Sequence, residues 1–288
     1  MVKEEHTVVG TLKITKIYNE HFKVDKKRIV RIWIPTNYQK NRKEPYKVIY
    51  MFDGQNLFDA KTSFIGKEWQ IDETIEEYIK DGYASAIVVG IDNSSDRNDE
   101  LTPSFGYEFK EPITALDAID ITPKGESTME YVVEKVIPFI EEKYNVGRSK
   151  EYRIIGGSSL GGLMATLGIY MYPDTFDMAL AFSPAYQLYK EAIGVDDVYE
   201  KIISTLTDKK HINKSTIIFS SGGKGFEASF TPYVYKIKEE NPKLGAFMLH
   251  ELWLMMSLGT LFTRLGNSDE CEKDMLEMWQ RCEQLYPK

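Results

Sequence analysis

The sequence is poor in the groups that hold metals or staple small folds. Its 288 residues include four histidines and two cysteines. Cys271 and Cys282 both lie near the C-terminal end, and two thiols in so long a chain make no disulfide framework. No His/Cys cluster has the spacing of zinc ligands. No lysine- and arginine-rich block stands out and the formal net charge is -8. A nucleic-acid partner, which needs a basic face, is therefore not expected. Long apolar runs are missing too. The run at 85–91 (SAIVVGI) suits a buried strand and is far shorter than the roughly 20 residues that span a bilayer, so no membrane partner is expected. The N-terminal stretch MVKEEH lacks the apolar region of a secretory signal. The chain as written reads as soluble and cytoplasmic, with a trimmed leader as the alternative. Repeats, low-complexity tracts and Gly/Ser/Pro linkers are absent, so one domain over residues 1–288 is the simplest organisation.

What is present suits a globular protein with a real core, at 42% hydrophobic and 28% charged residues. Residues 7–17 and 29–35 alternate apolar and polar side chains, the pattern of antiparallel strands with one wet face. Residues 46–52, 84–91, 152–156 and 216–220 are nearly continuous apolar runs, as in strands covered on both faces, and 176–182 is a further candidate. Residues 72–80 and 127–144 read as helices, the second with Pro138 as a kink or boundary. This alternation predicts an α/β fold with a mainly parallel central sheet, helices on both faces and antiparallel strands at the start. The stretch 94–125 is long, polar and without periodicity. A loop of that length after a strand is expected to serve function.

The strongest chemical signal is the run from Arg153 to Ala165, RIIGGSSLGGLMA. A β-branched strand enters Gly157-x-Ser159-x-Gly161 and leaves as a helix, the context of a nucleophile on a strained strand-to-helix turn. The flanking glycines must be small because the chain passes close to itself. Ser159 is the central serine. The Leu160 N–H, at the helix start, points toward the site and can stabilise an oxyanion.

With those residues in view, the chain resembles the putative-esterase (esterase D/feruloyl esterase-like) family of α/β-hydrolases. That family holds feruloyl and acetyl-xylan esterases, siderophore trilactone esterases, S-formylglutathione hydrolases and mycolyltransferases. The matching segments are 31–38 (RIWIPTNY), 48–58 (VIYMFDGQNLF), Ile91-Asp92-Asn93 with Arg97 and Glu100, the 157–162 elbow, 172–176 (YPDTF) and Phe182-Ser183-Pro184. They cover about residues 10–240. The resemblance implies the α/β-hydrolase fold, and it implies that the Gln55 N–H is the second oxyanion donor; the plainer reading is that Gly54 and Asn56 only shape a turn. Arg97 and Glu100 are expected to brace the long loop, and Trp69 to be core or pocket wall.

A serine nucleophile needs a base oriented by a carboxylate, in the chain order Ser, acid, His for this fold. His6 and His21 precede the elbow, and His211 sits at the wrong end of a strand. His250 remains as the candidate base. Glu227 is the candidate acid, with Asp196, Asp197, Glu239 and Glu240 as alternatives. The tail from about residue 244 departs from the family pattern: 244–265 reads as an apolar, Met-rich helix, on which His250 is equally an ordinary helix residue. A shifted reading frame would account for the departure, and the coding DNA tests it. The expected activity is carboxylic-ester hydrolysis through an acyl-enzyme, without metal or organic cofactor. By analogy with the family, feruloyl or acetyl esters of plant polysaccharide come first and siderophore trilactones second. Phe105, Tyr107 and Phe109 are candidates to stack on a phenolic acyl group, or loop packing. The competing class is a catalytically impaired binding protein, with the apolar tail pairing two copies of the chain.

Overall fold

The computed structural model describes residues 6–20, 22, 24–64, 66–106, 113–114, 120–186, 188 and 215–220. In chain order the strands are β1 (Thr11–Tyr18), β2 (Lys27–Ile34), β3 (Lys47–Phe52), β4 (Ala86–Ile91), β5 (Ile113–Thr114), β6 (Asp120–Ile121), β7 (Arg153–Ser158), β8 (Met178–Phe182) and β9 (Thr216–Ser220). The helices are α1 (Ile71–Lys80), α2 (Arg97–Glu100), α3 (Gly125–Tyr131), α4 (Ile137–Lys143) and α5 (Leu160–Met171). Among the described residues the main sheet runs β1-β2-β4-β3-β7-β8-β9. The β1–β2 and β2–β4 pairs are antiparallel, and every other pair in it is parallel.

The burial follows from the pleat. Val48, Tyr50 and Phe52 of β3 face one core with Ile87, Val89 and Ile155, while Ile49 and Met51 face another with Val88 and Ile154. The first core is closed by α3, α4 and α5 through Met129, Ile140, Leu163 and Leu167. The second is closed by α1 through Ile71 and Ile75. Burying each such side chain contributes about 1.5–3 kcal/mol. Helix α5 is buried from Leu160 to Ile169, which is why its sequence is apolar all round. Half-buried Trp69 packs against the second core.

Three expectations change. Strand β1 begins at Thr11, because the Val9 N–H is taken by Asp72 (2.7 Å) and its carbonyl by the Trp33 indole N–H (2.6 Å). Those backbone groups are thus spent on side chains before the ladder begins. The helix expected over 127–144 runs from Gly125 to Lys143 but widens into a π-turn at Val132–Val136, just before Pro138. Proline has no N–H to close the α-helical bond to the carbonyl four residues back, and the wider turn accommodates that gap. Finally, the long loop carries α2 and the β5–β6 hairpin. Helix α2 and the segment that follows it are held by tertiary bonds. Lys124 pairs with Asp99 at 2.5 Å, and Glu126 accepts from the amides of Ser104 and Phe105 at 2.9 Å each. Phe105 is buried, its ring centroid 6.4 Å from that of Tyr170, so it is loop packing and not a stacking surface. Tyr107 and Phe109 lie outside the described residues.

Candidate active site

Strands β3 and β7 are parallel neighbours with Met51 opposite Gly156, so the turns that follow them lie side by side at the carboxyl ends of the central strands. The β7 turn carries Ser159. Its backbone sits at φ 56°, ψ −119°, which side chains other than glycine rarely adopt and which costs on the order of 1–3 kcal/mol. The surroundings enforce it. The Ser159 N–H donates to the Phe182 carbonyl (2.9 Å), and the Ser159 carbonyl accepts from Leu163 and Ala185 (3.1 Å each). A methyl group on Gly157 would lie 2.6 Å from the Gly161 carbonyl carbon, so the strand and the helix can pass this closely only without that side chain. Ser159 remains partly exposed while Leu160 is buried.

The β3 turn carries Gln55. Gly54 to Asn56 form a single 3-10 turn, pressed so hard on β4 that a methyl group on Gly54 would meet the Gly90 carbonyl carbon at 2.5 Å. Within the turn the Asn56 and Leu57 amides bond to the carbonyls of Asp53 (2.9 Å) and Gly54 (3.3 Å). Among the described residues the amides of Gln55 and Leu160 have no hydrogen-bond partner. Two donors are thus left over at two adjoining turns, which is the arrangement a developing negative charge requires.

Gln55 is held at both ends. Thr62 Oγ1 donates to its carbonyl (2.7 Å) and the Asn93 N–H to its Oε1 (3.3 Å). Before it, Asp53 has left-handed backbone (φ 57°, ψ 45°) and a buried carboxylate. Arg97 grips that carboxylate with two bonds, Nε to Oδ1 and Nη2 to Oδ2 at 2.7 Å each, and Asn93 Nδ2 adds a third to Oδ1 at 2.5 Å. Burial works against the Arg97 charge, but the bonds and charge of Asp53 outweigh it and hold the guanidinium pKa above its ordinary value. Two further pairs lie next to these. Arg31 binds Asp92 (2.7 and 2.9 Å), and Arg28 binds Glu100 (2.7 Å) and the Asp92 carbonyl (3.3 Å). Burial dominates at Asp92 and keeps its pKa above the usual carboxylate value despite Arg31.

Arg97 and Glu100 therefore anchor the loop, as the sequence suggests, but their partners were not legible in it. A signal was available: Arg28 and Arg31 sit among the apolar residues of β2, and buried guanidinium groups demand carboxylates. The candidate acid Glu227 and base His250 lie outside the described residues, as do Asp196, Asp197, Glu239, Glu240 and the tail. His6 bonds Asp59 at 2.5 Å. The described side chains with metal-ligating chemistry that gather most closely are Glu68, Asp72 and Glu73, whose oxygens lie within 4.8 Å of one another. Burial, with Glu73 beside it, pushes the Asp72 pKa up to about 8 against the pull of the Val9 N–H. A carboxyl group that keeps its proton can sit this close to its neighbours. No helix among the described residues is long and apolar enough to cross a membrane.

Comparison with known proteins fits this geometry. A curated relative, "Uncharacterized protein YbbA" of Bacillus subtilis (strain 168), is 26% identical over 155 residues, 54% of this chain. The match spans 56% of that protein's length. Three solved structures share the fold. The BES protein from Bacillus cereus is 18% identical with a TM-score of 0.64, covering 93% of this chain and 99% of its own. Siderophore hydrolase EstA from Aspergillus nidulans is 16% identical with a TM-score of 0.67, covering 90% and 96%. A ferulic acid esterase is 16% identical with a TM-score of 0.62, covering 88% and 97%. The family described as "Putative esterase" matches residues 23–241, most of the chain, and the chain belongs to that family, with the α/β-hydrolase fold.

Proposed function

We propose that the chain is a serine carboxylic-ester hydrolase working through an acyl-enzyme. The observation that carries the proposal is the backbone of Ser159, held at φ 56°, ψ −119° between β7 and α5 at a residue that is only partly buried. A fold keeps such strain where the position of one side chain matters more than local stability.

In this reading the Ser159 hydroxyl gives its proton to His250, oriented by Glu227, as Oγ attacks the ester carbonyl. The amides of Leu160 and Gln55 hold the tetrahedral oxyanion. The carbon–oxygen bond to the alcohol breaks, and the alcohol leaves with the proton from His250. Water, deprotonated by the same base, then releases the acid and restores the serine. The chemistry needs no metal or organic cofactor. For the substrate, feruloyl or acetyl esters of plant polysaccharide come first, supported by the fold shared with the ferulic acid esterase. A siderophore trilactone is the second arm, supported by the fold shared with siderophore hydrolase EstA.

Hydrolysis of p-nitrophenyl acetate tests the chemistry, and a panel of methyl ferulate, acetylated xylan and a catecholate trilactone tests the substrate. Ser159→Ala should abolish turnover, a loss of at least about 10³-fold, while the chain stays folded. A folded wild-type chain without turnover would instead mark a binding protein of hydrolase fold.

A further inference from the structure

The mechanism above uses the Gln55 amide but leaves open what aims it. Asp53 adjoins both turns. Its backbone leads into the Gln55 turn, and its Oδ2 lies 3.6 Å from where a Gly161 side chain would begin, beside the residue that follows Leu160. A buried carboxylate this close to a developing oxyanion would oppose it unless its charge were matched. Arg97 matches it through two parallel bonds, a geometry that fixes direction as well as distance. The same arginine belongs to α2 in the loop after β4, and Asn93 of that loop contacts both Asp53 and the Gln55 side chain.

We infer that Asp53 and Arg97 act as one positioning unit: the ion pair locks the left-handed turn at Asp53 so that the Gln55 N–H points at the oxyanion, and it ties that aim to the post-β4 loop. Neither residue is catalytic, since each acts through the Gln55 backbone. The inference rests on the proposed esterase reading and extends it.

The pair imposes a pattern on the kinetics. Misplacing a preorganised donor weakens only transition-state binding, so kcat falls while KM stays. A shift of about 1 Å can cost about 10²-fold. Arg97→Gln and Asp53→Asn should each lower kcat about 10- to 100-fold with KM changed less than about threefold. The double variant should lose no more than the worse single one, because either change releases the same turn. Arg97→Lys keeps the charge without the fork and should recover part of the Arg97→Gln loss. Affinity for a phenylboronic acid, whose Ser159 adduct presents a tetrahedral anion, should fall in step with kcat. Thermal melting accompanies each variant; if buried Asp53→Asn does not fold, the half-exposed Arg97 series carries the test. Wild-type turnover that vanishes in Ser159→Ala, with Arg97→Gln raising KM at constant kcat, would make Arg97 a substrate-binding group and end this inference alone. Losses in kcat that multiply in the double variant would also end it. A wild-type chain with no Ser159-dependent turnover would end the esterase reading and this one together.

Discussion

The turn that carries Ser159 is shaped by backbone contact, whereas the turn that carries Gln55 is held by charge. At the first, a strand and a helix touch through Gly157, and among the described residues the bonds that hold Ser159 run main chain to main chain. At the second, the buried carboxylates of Asp53, Asp92 and Glu100 are met by Arg97, Arg31 and Arg28. The difference follows from what each turn must resist. The elbow carries local strain, which close packing opposes over a few ångströms. The Gln55 turn must hold its place relative to a separate loop, and paired charges with fixed geometry link elements that share little apolar surface.

This contrast predicts unequal responses to substitution. The largest effect should come from Gly157→Ala, whose methyl group has backbone and no flexible side chain to displace. A loss of at least about 3 kcal/mol, or failure to fold, is expected by chemical denaturation. A midpoint equal to wild type would show that the elbow is not held sterically. Glu100→Gln comes next. It leaves the Arg28 guanidinium, about 3% exposed, without its carboxylate and should cost about 3 kcal/mol. A change below about 1 kcal/mol would mean that charge does not secure that side of the site. A pH-dependent effect is expected at Asp72, a buried carboxyl group with no cation beside it among the described residues. Its folded pKa, about 8, lies above the ordinary 3.8, so the folded protein binds more protons between those pH values than the unfolded one. The stability this group lends is complete below about pH 3.8 and is lost as pH rises toward and through 8. Asp72→Asn should therefore stabilise at pH 8, leave pH 4 nearly unchanged and flatten the slope between. Parallel denaturation curves at the two pH values check it, and an unchanged slope would place the titration elsewhere.

Much of the fold was legible because it rests on periodicity. The apolar runs at 46–52, 84–91 and 216–220 became β3, β4 and β9 nearly residue for residue, since strands buried on both faces have few polar positions. The glycines around Ser159 were legible for a similar reason: a close crossing of strand and helix leaves room for few residue types. The stretch 94–125 was not. Helix α2 spans only Arg97–Glu100, too short for a periodic pattern, and it exists because Asp53, Arg28 and Ser94 take up its side chains. Phe105 read as a candidate for substrate because sequence gives an aromatic ring no address.

The sequence by itself determined the buried strands of the central sheet, the tight bend at Ser159 and the Leu160 amide expected beside it. These depend on side-chain size and on spacing along one stretch of chain. Which arginine meets which carboxylate was decided only by the tertiary structure. Arg31 reaches Asp92 at the end of the antiparallel neighbour β4, Arg28 reaches Glu100 of α2, and Arg97 of the same helix returns to Asp53. Such pairs depend on burial and on distance in space, and neither is written in the spacing of residues along the chain.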